Sequence, residues 1–205
     1  TYSMQDNFKY DFNFNDYRSF NPLETGSFSI STITWKSAFD KVDRDPTSPT
    51  YLQSATYDRF STFRQQISKN LGSANPYSSG IDSTGFANGY SGKSPSVLIP
   101  AFLSAYTGKE NDGLNSGAFP TIPLPNWRVT YSLNSKKGKL AQLFQSLTIQ
   151  HSYSSTYTAN NYISNLLYKG GEGGFAMGRD TITGDFIPKY QMGNITLSEQ
   201  LQPLI

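Results

Sequence analysis

Cysteine is missing from this chain of 205 residues, and histidine occurs once, at His151. The absence of cysteine excludes disulfide bonds, zinc–thiolate sites and cysteine nucleophiles. A Ser-His-Asp triad would have to use His151, and no Gly-x-Ser-x-Gly motif accompanies that residue. We therefore interpret His151 as a polar residue within a long strand, and we expect neither enzymatic activity nor a cofactor.

Charged residues are also scarce, at 16% of the chain, against about 25% in an ordinary soluble protein. The net charge is only +2, and Lys and Arg form no basic stripe, so nucleic acid is not an expected partner. No run approaches the roughly 20 apolar residues of a membrane-spanning helix. Hydrophobic residues make up 36% and aromatic residues 15%, and uncharged polar residues fill much of the rest. That mixture is typical of outer-membrane barrels and of secreted carbohydrate-binding sandwiches.

Two segments have a composition that could bind ions. Asp40, Asp43 and Asp45 lie close together, but calcium loops usually need a Gly for a sharp turn, and Pro46 follows here. The segment GGEGGFAMG (170–178) shares only its glycine content with a phosphate-binding loop, because no Lys-Ser/Thr pair follows its last Gly. We interpret the first segment as a solvated acidic loop and the second as a flexible hairpin loop, and we expect no metal site.

The segment NFKYDFNFNDY (7–17) alternates aromatic and polar residues, with Phe8, Tyr10, Phe12 and Phe14 at every second position. A period of two predicts a β-strand with one aromatic face and one polar face. The aromatic face could contact a protein core, a sugar ring or lipid. Each of these alternatives implies a different function.

Other segments predict the remaining elements. Alternation predicts further strands at about 27–37, 126–133, 147–168 and 187–201. Helical periodicity predicts inserts at about 51–71 and 99–108. The segment 27–35 could pair with 7–17 as a hairpin, and a shift of its apolar face between Ile30 and Ile33 predicts a bulge. Gly72 and Gly108 stand where the C-caps of the helices are expected, and Pro100 is expected in the first turn of its helix.

The predicted strand 147–168 is unusually long, since it has no Gly or Pro over roughly 70 Å at about 3.3 Å per residue. Its even positions from Thr148 to Thr158 are all uncharged and hydrophilic. Strands of this length cannot close on themselves as a small unit, so their edges need neighbours. We therefore expect residues 1–205 to be part of one larger barrel domain.

Several segments in the second half of the chain resemble one protein family. They are VLIPAFLSAYTGK (97–109), IPLPNWRVTYS (122–132), HSYSSTY (151–157) and EQLQPLI (199–205). In this order they are similar to segments of the SprA/Sov family, the giant outer-membrane translocon of type IX secretion in Bacteroidota. The most specific motif is Pro125-Asn126-Trp127-Arg128, a run that is rare by composition. One departure is Leu133, because family members tend to have Gly after the Tyr-Ser pair.

The resemblance implies an all-β membrane protein, namely a segment of a very large transmembrane antiparallel β-barrel with short helical insertions between strands. It implies a location in the outer membrane of a Gram-negative bacterium and a role in protein secretion and gliding motility. The implied partners are the rest of the barrel chain, the lipid bilayer, exported folded cargo proteins, a barrel-type shuttle protein and a periplasmic plug protein.

On this interpretation the strands separate lipid from a water-filled lumen, and the helical inserts lie outside the bilayer. The residues expected to face lipid or its interface are Phe8, Tyr10, Phe12, Phe14, Leu147, Ile149, Tyr153 and Tyr157. The residues expected to face the lumen are Thr148, Gln150, Ser152 and Ser154. Two alternatives stay open: a secreted or surface β-sandwich that binds carbohydrate, and a segment of another large outer-membrane transporter barrel.

Overall fold

The computed structural model describes residues 2–5, 8–11, 16–19, 23–34, 37, 40, 42–110, 113–114, 119–120, 122–133 and 147–202. The described strands are β1 (Tyr2–Gln5), β2 (Phe8–Asp11), β3 (Asp16–Ser19), β4 (Leu23–Ser31), β5 (Trp127–Leu133), β6 (Leu147–Ser164), β7 (Tyr190–Gln191) and β8 (Asn194–Gln202). The described helices are α1 (Ala55–Ala74), α2 (Pro95–Thr107) and a 3₁₀ turn at Glu172–Gly174. Neither α-helix is both long enough and apolar enough to cross a membrane.

The central element is β6, whose 18 residues extend about 60 Å at roughly 3.3 Å per residue. One edge of β6 pairs antiparallel with β5 along residues 147–153 and with β4 along residues 156–163. The opposite edge pairs with β8 along residues 152–160 and then with β7. β1 pairs with the outer edge of β4. These six strands therefore form an open antiparallel sheet, in which β4 and β5 lie end to end.

The predicted strand 7–17 is wrong as a single strand, because β2 and β3 fold back on each other as a separate two-stranded sheet. The predicted pairing of 7–17 with 27–35 is also wrong, since β4 pairs with β1 and β6 instead. β4 begins at Leu23 and ends at Ser31. The shift of apolar face after Ile30 therefore marks the end of a strand and is not a bulge.

The bulge in this part of the sheet lies elsewhere. The register between β4 and β6 shifts between Gly26 and Phe28, whose partners are Tyr162 and Ala159. The extra residue is thus in β6, where Asn161 has a φ of 51°. Asn tolerates this left-handed conformation better than most residues. The long strand predicted at 147–168 is confirmed from Leu147 to Ser164.

The helices form where the periodicity predicts them, with different ends. The hydroxyl oxygen of Ser54 accepts a hydrogen bond from the N–H of Tyr57 and caps α1. α1 continues past Gly72 to Ala74, so the predicted C-cap at Gly72 is wrong. In α2 the predicted cap at Gly108 is confirmed, with a φ of 68°. The first helical position is Pro95, and Pro100 lies inside the helix.

The core consists of two clusters that share α2. The first lies between the helices and loops, and comprises Ile67, Leu71, Ala87, Tyr90, Val97, Ala101 and Phe186. The second lies between α2 and the sheet, and comprises Ile99, Leu103, Tyr157 and Ala159, with Phe28, Ile30 and Phe119 among its partly buried neighbours. α2 is therefore buried on two sides, and it fixes α1 and the loops to one face of the sheet.

Candidate functional site

One face of the sheet carries only polar side chains in the rows that cross β4, β5, β6 and β8. Residues that pair directly across antiparallel strands project to the same face. Ser29 pairs with Thr158, which pairs with Thr196, and the next rows continue the pattern. We call this surface the polar face; its residues are Ser29, Ser31, Arg128, Thr130, Ser132, Thr148, Gln150, Ser152, Ser154, Thr156, Thr158, Thr196, Ser198, Gln200 and Gln202. Arg128 is its single charged member among the described residues.

The opposite face is mostly apolar, and we call it the apolar face. Its residues are Phe28, Ile30, Trp127, Val129, Tyr131, Leu147, Ile149, His151, Tyr153, Ser155, Tyr157, Ala159, Ile195, Leu197, Glu199 and Leu201. Around Tyr157 and Ala159 it is covered by α2. Toward the other end of β6 it is bare in the described residues, where Val129 is 56% exposed and Tyr131 55%. The apolar face thus has a covered half and a bare half.

The predicted lipid-facing residues of β6 divide between these two halves. Tyr153 and Tyr157 are only 1% and 0% exposed. Tyr157 is covered by α2, whereas Tyr153 stacks on Trp127 and its hydroxyl is bonded to Thr34. Neither buried side chain is in the open position that contact with lipid would require. Leu147 and Ile149 are half-buried and lie on the bare half.

The residues expected to face the lumen all lie on the polar face. Thr148 and Ser154 are exposed, and Gln150 and Ser152 are half-buried. The odd and even positions of β6 therefore separate as predicted, although only part of the odd side is bare. Phe8 and Tyr10 belong to β2, but their side chains lie outside what the structure describes, as do residues 12 and 14 entirely.

The rare motif Pro125–Arg128 lies where β4 and β5 meet end to end. At this junction the Oδ1 atom of Asn126 accepts a hydrogen bond of 3.0 Å from the N–H of Ser155. The carbonyl oxygen of Ser155 accepts a bond of 2.9 Å from the N–H of Thr32. Asn126 thus supplies an acceptor that neither strand provides at the junction, and Arg128 projects to the polar face.

A network of hydroxyl groups lies beside this junction. The N–H of Thr34 donates to the hydroxyl oxygen of Tyr153 at 2.7 Å, and the Oγ1 atom of Thr34 is 3.1 Å from the Oγ atom of Ser155. Thr34 is fully buried, and Ser155 is 1% exposed. The ring of Trp127 stacks on Tyr153 with centroids 4.6 Å apart. The sequence indicated the motif only by its rarity, whereas these contacts give it a structural role.

The glycine-rich segment is a hairpin, as predicted, and we call residues 165–189 the glycine-rich hairpin. Contacts that the sequence did not indicate fix it to the helices. Phe186 is 2% exposed, and its ring lies 5.1 Å from that of Tyr90 and 4.4 Å from the guanidinium carbon of Arg179. The N–H of Phe186 donates to the carbonyl of Gly89 at 2.8 Å.

Polar contacts complete the attachment of the glycine-rich hairpin. The two carboxylate oxygens of Asp185 accept bonds of 2.7 Å each from the N–H and the hydroxyl of Ser91. The guanidinium of Arg179 donates to Asn88 Oδ1 at 2.7 Å and to the carbonyl of Tyr77 at 3.1 Å. The hairpin and the helices therefore form one continuous layer.

A cleft of about 350 Å³ opens between α2 and the glycine-rich hairpin. Its lining includes Ile99, Phe119, Phe175 and the rings of Tyr168 and Tyr190. The hydroxyls of both tyrosines already donate, to the Gly174 carbonyl at 2.9 Å and to the Glu24 carboxylate at 2.6 Å. The cleft has the size of a small-ligand site, but these two polar groups are committed to the protein itself.

The acidic loop uses its carboxylates internally. Asp45 accepts bonds from the N–H and the hydroxyl of Thr47 at 2.9 and 2.7 Å, and these bonds hold the pKa of Asp45 below its usual value. The Thr56 hydroxyl, and then the Arg59 guanidinium at 3.1 Å, lower the pKa of Asp40. No three His, Cys, Asp or Glu side chains in the described residues are grouped so that they could hold a metal ion.

Comparison with protein-family models gives no match for this chain, and comparison with curated proteins gives none either. The functional interpretation therefore depends on the residues and on the geometry of the sheet.

Proposed function

We propose that this chain is a wall segment of an outer-membrane protein-export pore, of the kind that its resemblance to the type IX translocon implies. The observation that carries the proposal is the separation of the sheet into a polar face and an apolar face along β6. With its length of about 60 Å, β6 is twice as long as the hydrocarbon core of a bilayer is thick, at about 30 Å. A strand of a large barrel crosses the bilayer and continues beyond it.

The two faces suit the two environments of such a wall. On the bare half of the apolar face, Val129 and Tyr131 are more than half exposed, as side chains in contact with acyl chains would be. The polar face consists of hydroxyl and amide groups with one guanidinium, at Arg128. Such a surface is wetted by water, and it offers little charge to retain a passing protein. The wall performs no chemistry of its own.

The partners follow from this role. The edges of the open sheet pair with other strands of the barrel, because unpaired edges are otherwise templates for aggregation. Exported folded cargo passes along the polar face. A shuttle protein and a periplasmic plug are further partners that the resemblance implies. The sandwich alternative would cover the apolar face with a second sheet, whereas in the described residues α2 covers one half of this face and the other half is bare.

Single-cysteine variants test the proposal, because residues 1–205 contain no cysteine that would have to be removed. Thr156→Cys and Ser198→Cys probe the polar face, Val129→Cys and Tyr131→Cys probe the bare half, and Ile182→Cys is a matched control at a site 92% exposed. The variants are made in the producing cell and labelled in isolated membranes with a charged, water-soluble maleimide. We expect the polar-face sites and the control to be labelled, and the two bare-half sites to be labelled only after detergent is added.

The opposite results are informative. If the protein is recovered in the soluble fraction with Val129→Cys and Tyr131→Cys fully labelled, the pore-wall proposal is wrong and the soluble sandwich is favoured. If the polar-face sites are protected while the bare-half sites are labelled, the two faces have been assigned the wrong way round.

A further inference from the structure

The acidic side chain that the described residues place on the apolar face lies on its covered half. Ser155 lies on the covered half, and the residue of β8 that pairs with it is Glu199. The Oε1 atom of Glu199 is buried and has no hydrogen-bond partner among the described residues. A carboxylate is costly to place in hydrocarbon. The covered half is therefore unsuited to contact with acyl chains, whatever covers the rest of the sheet.

The bare half has the opposite character. Val129, Tyr131 and Ile149 lie there, and the register places no Asp, Glu, Lys or Arg on this half in the described residues. Its one ionisable heterocycle is His151, whose Nδ1 atom is 3.0 Å from the carbonyl oxygen of Gln202. From Tyr153 toward Leu147, His151 is the next residue on the apolar face. Its polar contact therefore lies at the end of the bare half that is nearest the covered half.

A stacked aromatic pair separates the two halves. The rings of Trp127 and Tyr153 are 4.6 Å apart, and the Tyr153 hydroxyl accepts from the N–H of Thr34, on the side of the polar network. Trp and Tyr are the residues that concentrate at membrane–water interfaces, where one end of the ring is apolar and the other is wet. Within the pair, Tyr153 is 1% exposed and its hydroxyl lies in the buried network, so the half-buried ring of Trp127 is the one that can contact the interface.

We infer that the membrane surface crosses the sheet at the Trp127–Tyr153 pair, that acyl chains cover the bare half, and that α1, α2 and the glycine-rich hairpin lie on the aqueous side of this boundary. The inference rests on the proposed function and adds to it the depth to which the sheet enters the bilayer. Residues 147–153 extend about 23 Å at roughly 3.3 Å per residue, so the described part of β6 reaches most of the way through a hydrocarbon core of about 30 Å. The remainder of β6 then projects into water, beneath the layer that α2 builds.

Depth measurements with spin labels test the boundary. Single-cysteine variants of the complete protein are labelled and reconstituted in phosphatidylcholine vesicles. Accessibility to oxygen, which partitions into hydrocarbon, is compared with accessibility to a nickel chelate, which stays in water. Val129→Cys and Tyr131→Cys probe the bare half, Leu201→Cys lies opposite Tyr153 at the boundary, and Lys93→Cys is an exposed site beside the start of α2.

We expect the ratio of oxygen to nickel accessibility to be about tenfold higher at Val129 and Tyr131 than at Lys93, with Leu201 between them, because hydrocarbon excludes a polar chelate. A high ratio at Lys93 as well would overturn the boundary and leave the pore-wall proposal intact. Low accessibility to both probes at Val129 and Tyr131 would show that protein, not lipid, covers the bare half. High nickel accessibility at all sites would overturn the inference and the proposed function together.

Discussion

Replacing Gly72 by Ala separates two arguments that predict opposite effects on stability. Gly72 lies inside α1, three residues before the C-cap Asn75, and Ala is the better helix former by about 1 kcal/mol. Considered as a helical position alone, Gly72→Ala should stabilise the protein. The packing around Gly72 predicts the reverse.

The magnitude follows from the contact with the neighbouring loop. A Cβ atom on Gly72 would lie 2.3 Å from the Cβ atom of Ala87 and 3.3 Å from the hydroxyl oxygen of Ser78. Ala87 is 4% exposed, and its N–H donates to Ser68 Oγ at 2.8 Å, so it cannot move away freely. Overpacking of this kind costs about 1–3 kcal/mol. After the helix-propensity gain is subtracted, we expect a net destabilisation of up to about 2 kcal/mol.

Urea unfolding in detergent micelles, followed by far-UV circular dichroism, measures the change. Ser73→Ala is the matched control, because Ser73 is exposed on the same turn and meets no such contact. The double variant Gly72→Ala/Ala87→Gly removes the clashing methyl group and should recover most of the loss. An increase in stability for Gly72→Ala alone, or a double variant no more stable than Gly72→Ala, would refute the reasoning.

Further predictions concern the junction, the hairpin and one turn. Asn126→Ala removes the acceptor of the Ser155 N–H and should cost about 1–3 kcal/mol in urea unfolding, whereas Asn126→Asp keeps an acceptor and should cost less. Phe186→Ala should cost about 3–5 kcal/mol and speed limited proteolysis of the glycine-rich hairpin, whereas Phe186→Leu should cost much less and leave cleavage slow. The Thr84 hydroxyl, and then the Phe86 N–H, hold the pKa of Asp82 below its ordinary value of 3.8. Its stabilisation of this turn is therefore complete well above 3.8 and is lost as pH falls through the lower, folded pKa. NMR shifts of the turn should report that loss, and Asp82→Asn should abolish it.

Local patterns in the sequence predicted the elements whose own residues determine them. The alternation from Leu147 to Ser164 and the apolar spacing in 51–71 correspond to β6 and α1. The αL cap at Gly108 was also predictable, because a left-handed residue is required where a helix ends in this way. Gly72 was wrongly predicted to be a C-cap, because a glycine in a helix can also allow another segment to pack closely against it. Here that segment contains Ala87, which is distant in sequence, so the sequence did not indicate the contact.

Pairing and coverage could not be predicted, because they depend on non-local contacts. The strand expected at 7–17 alternates throughout, but alternation is equally compatible with two short strands that pair with each other. The docking of Phe186 between Tyr90 and Arg179 has no periodic signal, since it joins three loops. The rarity of the motif around Asn126 indicated a position of interest without indicating its function.

The aromatic residues of β6 show what a period of two does and does not specify. Tyr157 and Tyr131 both project to the apolar face, yet Tyr157 is fully buried and Tyr131 is 55% exposed. The difference comes from α2, because Ile99 and Leu103 reach only the part of the face around Tyr157. Alternation therefore determines which face a residue occupies, whereas the segments inserted between strands determine which part of that face remains for lipid. The same sheet can then serve as a protein core at one end and, as we propose, as a membrane surface at the other.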